Sequence, residues 1–267
     1  MTDTSNYILI TGASAGIGTA IAREYARRGQ PLILLARRRD RLEALQAELS
    51  SQIACEILVA DLADPDAPNH IVDHIRANGW TVRGLVNNAG YGLPGKFHAP
   101  DWQEHARFLQ VMVTSVCELT WRLLPDMQTR RDGEILNVAS LAGHVPGSAG
   151  HTLYAAAKSF MIKFSESLAL ENAGLGIKVS ALCPGFTYSE FHDVTGTRPQ
   201  VSRMPNWMWM QAEDVAKQGI DALQAGRVVF VPGRINRMIK AITQIMPDRW
   251  MLKIVQRQSR NFRDIHD

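Results

Sequence analysis

Short apolar runs alternate along the chain with longer stretches in which apolar residues recur every three or four positions. The runs at Tyr7 to Thr11, Pro31 to Ala36, Cys55 to Ala60, Gly84 to Asn87, Gly133 to Ala139, Lys178 to Cys183 and Arg227 to Val231 are predicted as strands. Helices are predicted near Gly16 to Arg28, Arg39 to Ser50, Pro65 to Asn78, Trp102 to Arg130, His151 to Ala173 and Ala212 to Ala225. Seven strands joined by six helical crossovers imply an α/β fold, a doubly wound (Rossmann) parallel sheet with helices on both faces. Two segments break the rhythm: 186–211, and the tail after Pro232. With no repeat and no Pro/Ser-rich linker, residues 1–232 are expected to form one body containing the irregular flap 186–211. Residues 233–267 are expected as an extension of that same domain.

A chain of 267 residues, 46% hydrophobic and 21% charged, can bury one substantial core, which excludes a disordered chain and a disulfide miniature. The net charge of +3 is too small to point to nucleic acid. Its distribution is uneven: Arg227 to the end carries nine Lys or Arg against three Asp, net +6, leaving the first 226 residues at net −3. Cys55, Cys117 and Cys183 are odd in number and far apart in apolar stretches, so neither a disulfide framework nor a metal site is expected. The spacing of His98, His144 and His151 suggests no metal either. No basic-then-apolar leader opens the chain and no uninterrupted apolar run has spanning length, so a cytoplasmic location is expected.

The first predicted strand ends in Thr11-Gly-Ala-Ser-Ala-Gly-Ile-Gly18. Glycines 12, 16 and 18 fall where strand turns into helix, allowing a ligand to approach the backbone while the helix N-terminus offers N–H groups to a pyrophosphate. Further on come Asn87-Asn-Ala-Gly90, Ser140, Tyr154-Ala-Ala-Ala-Lys158 and Pro184-Gly185. In this order and register the five segments resemble the signatures of the short-chain dehydrogenase/reductase family, over residues 6 to about 232. The match is closer still to the general reductases that carry a basic C-terminal extension.

The resemblance implies a hydride transfer between a nicotinamide cofactor and a carbonyl or alcohol, with no metal. It implies cofactor contacts at Gly12, Ser14, Gly16, Ile17 and Gly18, an adenine contact at Asp61, and a lining near the ribose from Asn88, Ala89 and Gly90. Asn87 is expected to tie strands together instead. Tyr154 would be the acid, Lys158 the cation that lowers its pKa and binds the nicotinamide ribose, and Ser140 a second donor to the carbonyl oxygen. Pro184 and Gly185 would line the nicotinamide end, with Ser189 preferred near the carboxamide and Thr187 in reserve. The second predicted strand runs into Arg37-Arg38-Arg39, with no acid before Asp40. Guanidinium groups at Arg37 and Arg38 suit a 2′-phosphate, so NADP(H) is the expected cofactor.

Two departures from the family pattern stand out. The interval from Ser140 to Tyr154 is fourteen residues, one longer than the family's, placing an extra residue in loop 144–152. Met112 occupies the register of the family's relay asparagine, and no asparagine occurs between Asn88 and Asn137. Proton supply must then use another route, such as the hydroxyls of Thr114 or Ser115. A catalytically weak nucleotide sensor or scaffold is the alternative to an NADPH-dependent reductase.

Phe191, Met204, Trp207, Met208, Trp209 and Met210 in the flap suit a bulky apolar ketone or a 3-oxoacyl substrate, or simply cover the core. The tail interleaves apolar and basic residues at helical spacing; docking on the body or on a second subunit of a homo-oligomer is favoured over peripheral contact with an acidic membrane.

Overall fold

The computed structural model describes residues 6–150, 152–189 and 205–262. Its centre is a seven-stranded sheet: β1 (Asn6–Thr11), β2 (Leu32–Ala36), β3 (Cys55–Val59), β4 (Thr81–Asn87), β5 (Gly133–Val138), β6 (Ile177–Leu182) and β7 (Val229–Phe230). All neighbours pair in parallel, in the order β3-β2-β1-β4-β5-β6-β7. Strand alternation divides the core. Ile8 and Ile10 join Leu34, Ile21, Tyr25, Val215 and Ile220 on one face, while Leu9 joins Ile33, Leu35, Val72, Leu119 and Leu123 on the other. Each such buried side chain contributes about 1.5–3 kcal/mol relative to exposure.

The helices are α1 (Gly16–Arg27), α2 (Arg39–Leu49), α3 (Ala67–Ala77), α4 (Trp102–Leu109), α5 (Ser115–Arg130), α6 (Thr152–Glu171), α7 (Ala212–Gln224), α8 (Arg234–Ile245) and α9 (Asp248–Phe262). The chain leaves β1 toward β2 and β3, then crosses to β4 and continues outward the other way. That reversal opens a crevice beyond the carboxyl ends of β1 and β4, where ligands bind in open sheets of this kind.

Three expectations change. The single helix expected over Trp102 to Arg130 is α4 and α5 joined by a π turn at Gln110–Thr114, a local widening that the apolar spacing does not reveal. β4 begins at Thr81, before the expected Gly84, with a register shift between Tyr7 and Ile8 of β1. β7 shrinks to two residues, Val229 and Phe230, paired with Ala181 and Leu182 of β6 at the edge of the sheet. The tail forms α8 and α9, and no described helix is long and apolar enough to cross a membrane. His151, Phe191 and Met204 lie outside the described residues.

Candidate active site

The turn from β1 into α1 is built for an anion. Gly12 and Gly16 adopt φ of 67° and 55°, the left-handed region where a side chain is strained. Gly18 packs against Gly12 and Asn88. Ala15 occupies the N-cap position of α1 and its methyl group supplies no capping hydrogen bond, so no side chain of the helix caps its first N–H groups. Ile17 turns its side chain onto the core, leaving its backbone to the turn.

Thr11 fixes the opposite wall: its Oγ1 accepts from the N–H groups of Asn88 and Ala89, both at 3.0 Å, and donates to the Val86 carbonyl at 3.2 Å. Asn88 Nδ2 returns to the carbonyls of Thr11 and Gly12 at 3.0 and 3.1 Å, carrying Gly90 alongside. Asn87 is buried and donates to Asn137 Oδ1 at 2.8 Å, tying β4 to β5 as expected.

At the end of β2 the two arginines part company. Arg38 Nη2 reaches Ser14 of the glycine turn, 3.3 Å from its Oγ and 3.4 Å from its carbonyl oxygen. Arg37 leans to Asp61, with 3.8 Å between nitrogen and oxygen and both side chains at least half exposed. Asp61 also accepts from the N–H of Ala63 at 3.0 Å. Ser14, Arg37, Arg38 and Asp61 therefore form one polar rim beside the glycine turn.

Across the crevice, β5 delivers Ser140 and α6 delivers Tyr154 and Lys158. Ser140 Oγ accepts from the Ala142 N–H at 3.1 Å and makes a long 3.5 Å contact to the Pro184 carbonyl. That carbonyl also accepts from the Leu141 N–H at 2.8 Å, fastening the serine turn to Pro184-Gly185. Ser159 Oγ donates to the Gly143 carbonyl at 2.9 Å and pins the same turn to α6. These fastenings hold whatever the length of the following loop, so the extra residue there leaves the serine in place.

Lys158 is buried and its Nζ donates to the Val138 carbonyl at 2.7 Å, 5.7 Å from the centroid of the Tyr154 ring. Burial pulls the lysine down to about 8, against a smaller upward pull from Cys183. Burial pushes Tyr154 up to about 12, while a hydrogen bond from Ser140 works in the other direction. The shift of Tyr154 is thus governed by enclosure of the phenol, in the direction opposite to the lowering expected from the lysine charge. Tyr154 is thus a neutral O–H donor whose ring remains half-buried at the crevice.

Met112 is fully buried in the π turn and packs with Phe108 and Ala157 against Tyr154 and Leu153. Its sulfur faces Gly90, where even a Cβ would come within 2.8 Å of it. Apolar atoms fill the position expected for an asparagine. The alternative relay hydroxyls do not replace it, since Ser115 Oγ is committed to the Leu62 carbonyl at 2.8 Å and Thr114 is exposed.

The flap stems meet where Thr187 bridges Met210, and the Thr187 hydroxyl turns inward to the Gly185 carbonyl at 3.1 Å. Ser189 stands over the glycine turn, 2.8 Å from where a Cβ of Gly16 would lie. Ser189 therefore lies close to the backbone of the glycine turn. Trp209 stacks on Tyr188 at 4.8 Å and tilts against Phe186 at 5.5 Å, forming an aromatic wall.

One residue escaped the sequence reading. Asn236, in the first turn of α8, is buried against Gly185, and its Nδ2 donates to the Pro232 carbonyl at 2.9 Å and approaches Met210 Sδ at 3.6 Å. An amide among the apolar and basic residues of α8 was the available signal. It makes the tail's root part of the site's floor.

A model of the short chain dehydrogenase family matches residues 6–199. Among relatives, the sulfoacetaldehyde reductase of Chromohalobacter salexigens is 34% identical over 216 residues, covering 79% of this chain and 85% of that protein. A short-chain dehydrogenase from Sphingobium yanoikuyae, solved in complex with NADPH, is 28% identical with a TM-score of 0.79, covering 91% of this chain and 96% of that one. A bulky-bulky ketone specific alcohol dehydrogenase from Comamonas testosteroni is 26% identical with a TM-score of 0.75, covering 100% of this chain and 98% of that one.

Proposed function

The chain belongs to the short-chain dehydrogenase/reductase family, and from that premise we propose that it is a cytoplasmic NADPH-dependent reductase of bulky apolar ketones or 3-oxoacyl groups. The convergence of Ser140, Tyr154 and Lys158 across the crevice from the glycine turn carries this reading. The residues fit a dinucleotide: the α1 N-terminus without a side-chain cap and the backbone of Gly12 to Gly18 suit a pyrophosphate, and Ser189 stands above it. Arg38 with Ser14, and Arg37 beside them, suit a 2′-phosphate, while Asp61 and the Asn88 to Gly90 strip line the adenosine side. Bound nicotinamide supplies the hydride.

The chain's own residues handle the oxygen. Negative charge grows on the carbonyl oxygen as it is reduced, and a donor already aimed at that point stabilises it without reorganisation. Ser140 and Tyr154 present two hydroxyls, and Tyr154 transfers its proton to the nascent alkoxide. Its raised pKa keeps that proton on the phenol through the neutral range. The Lys158 cation then stabilises the phenolate left behind, in a low-dielectric setting where its charge counts for more. The wall of Phe186, Tyr188 and Trp209 suits an apolar substituent, in keeping with the bulky-ketone enzyme named above.

The test is NADPH oxidation against carbonyls graded in size, with NADH alongside. Faster reduction of bulky apolar ketones, and preference for NADPH, is expected. Tight NADPH binding with no turnover of any carbonyl would favour a nucleotide sensor instead.

A further inference from the structure

The exposed apolar residues of the tail lie on the wrong side to serve the fold. In α8 the one buried side chain is Asn236, whereas Met238, Ile242 and Ile245 are 57%, 44% and 84% exposed. At about 100° per residue these three share an arc roughly 60° wide, and Asn236 lies roughly 120° or more from each of them. The helix is therefore anchored by its polar shoulder and turns its apolar stripe outward. In α9 Met251 is buried, but Trp250, Leu252 and Ile254 are 59%, 53% and 42% exposed. The favoured docking of the stripe on the body accounts for Asn236 and Met251 and leaves these six apolar side chains in the open.

Charge selects the occupant. Residues 234–262 carry seven Lys or Arg against one Asp, a net charge of +6, and Arg234, Arg237, Arg249, Lys253 and Arg257 are exposed. The first 226 residues are net −3. A second copy of the tail would set +6 against +6, so self-pairing through this face is opposed. An anionic surface attracts the tail, repels the body, and so orients the molecule tail-first.

We infer that α8 and α9 form a peripheral membrane-binding surface, lying on an anionic bilayer with Met238, Ile242, Ile245, Trp250 and Ile254 entering the headgroup boundary and the cations at the phosphates; Trp250 and Ile254 lie one turn apart on one face of α9. A bilayer satisfies both halves of the pattern at once, acyl chains for the apolar side chains and phosphates for the cations. Trp250 suits the boundary itself, where an indole keeps its apolar body in lipid and its N–H in contact with water.

The test is co-sedimentation of the full chain with vesicles of phosphatidylcholine alone and with an equal admixture of phosphatidylglycerol, at low and high salt. Binding is expected to the anionic vesicles, weakened at high salt. Each cation near such a surface contributes about fivefold, so Arg249→Glu, Lys253→Glu and Arg257→Glu together should weaken binding by about a hundredfold or more. Trp250→Gln with Ile254→Gln should weaken it at unchanged charge, with circular dichroism confirming that each variant folds. No binding of the wild-type chain to anionic vesicles overturns the inference. So does equal binding to both vesicle types, or a tail-dependent dimer in sedimentation without lipid binding, which would assign the face to a second copy.

Discussion

The two sides of the crevice handle their charges in opposite ways. Around Lys158 and Tyr154 the groups are enclosed, each fixed by a backbone or side-chain partner, and their proton affinities are moved by burial. At the rim, Arg37, Arg38 and Asp61 are exposed; Arg37 lies 3.8 Å from Asp61, and Arg38 meets Ser14 at 3.3 and 3.4 Å. Enclosure sets the chemistry because a charge there cannot be relieved by water. Exposure leaves the rim with small internal commitments, since surface ion pairs contribute about 0–1 kcal/mol. The rim can therefore give its cations to a ligand at little cost to the fold.

The strongest break comes from removing the enclosed cation. Lys158→Met should cut turnover by at least about 10²-fold and weaken cofactor binding as well, because one side chain serves the phenol and the ribose. Steady-state kinetics beside cofactor titration would check both effects. A loss confined to KM for the carbonyl would count against the assignment.

The same enclosure gives a pH signature. Lys158 titrates at about 8, below its usual range, so its cation is present below that pH and lost above it. Turnover in the reductive direction should fall as pH rises through about 8. Lys158→Arg, which stays protonated, should flatten that limb if it folds and turns over. A wild-type profile that stays level through this region would show that the lysine charge is not needed.

The rim predicts a smaller and more selective effect. Arg38→Asp should lower affinity for NADPH by about tenfold or more and leave NADH nearly unchanged, since one charge-assisted pair is lost and the fold is not disturbed. Arg37→Asp should do less, because Arg37 already leans on Asp61. Equal affinities of the wild-type protein for the two cofactors would remove the assignment.

The smallest effect is expected at Met112. Met112→Asn buries an amide beside Phe108 and Ala157, lowering stability by about 1–3 kcal/mol. It also gives water a polar foothold behind Tyr154, so turnover should rise and the solvent isotope effect should change. Normal folding and NADPH binding without any gain would show that the apolar cluster does not limit proton supply.

Much of this was legible because it is local. The strand rhythm, the glycine turn and the Tyr154 to Lys158 spacing of one helical turn each need only a few adjacent residues. What stayed hidden depends on distance or on one residue of register. The π turn at Gln110–Thr114 adds a single residue to a helical turn without disturbing the apolar pattern. Asn236 meets Gly185 from far along the chain, and no spacing rule connects them. The sense of the Tyr154 shift also escaped, because sequence shows the neighbouring cation but not the depth of burial. The different partners of Arg37 and Arg38 were hidden for a similar reason: Asp61, far along the chain, lies beside the first, and Ser14 receives the second.

The most direct test of the account is a single-turnover measurement of NADPH oxidation by wild type and Tyr154→Phe, each saturated with cofactor and mixed with a bulky ketone. The account predicts that the variant binds NADPH as tightly as wild type and that its reduction step slows by about 10²- to 10⁴-fold. An unchanged rate of reduction in the variant, on a substrate whose chemical step limits the wild type, would contradict the assignment of Tyr154 as the proton donor.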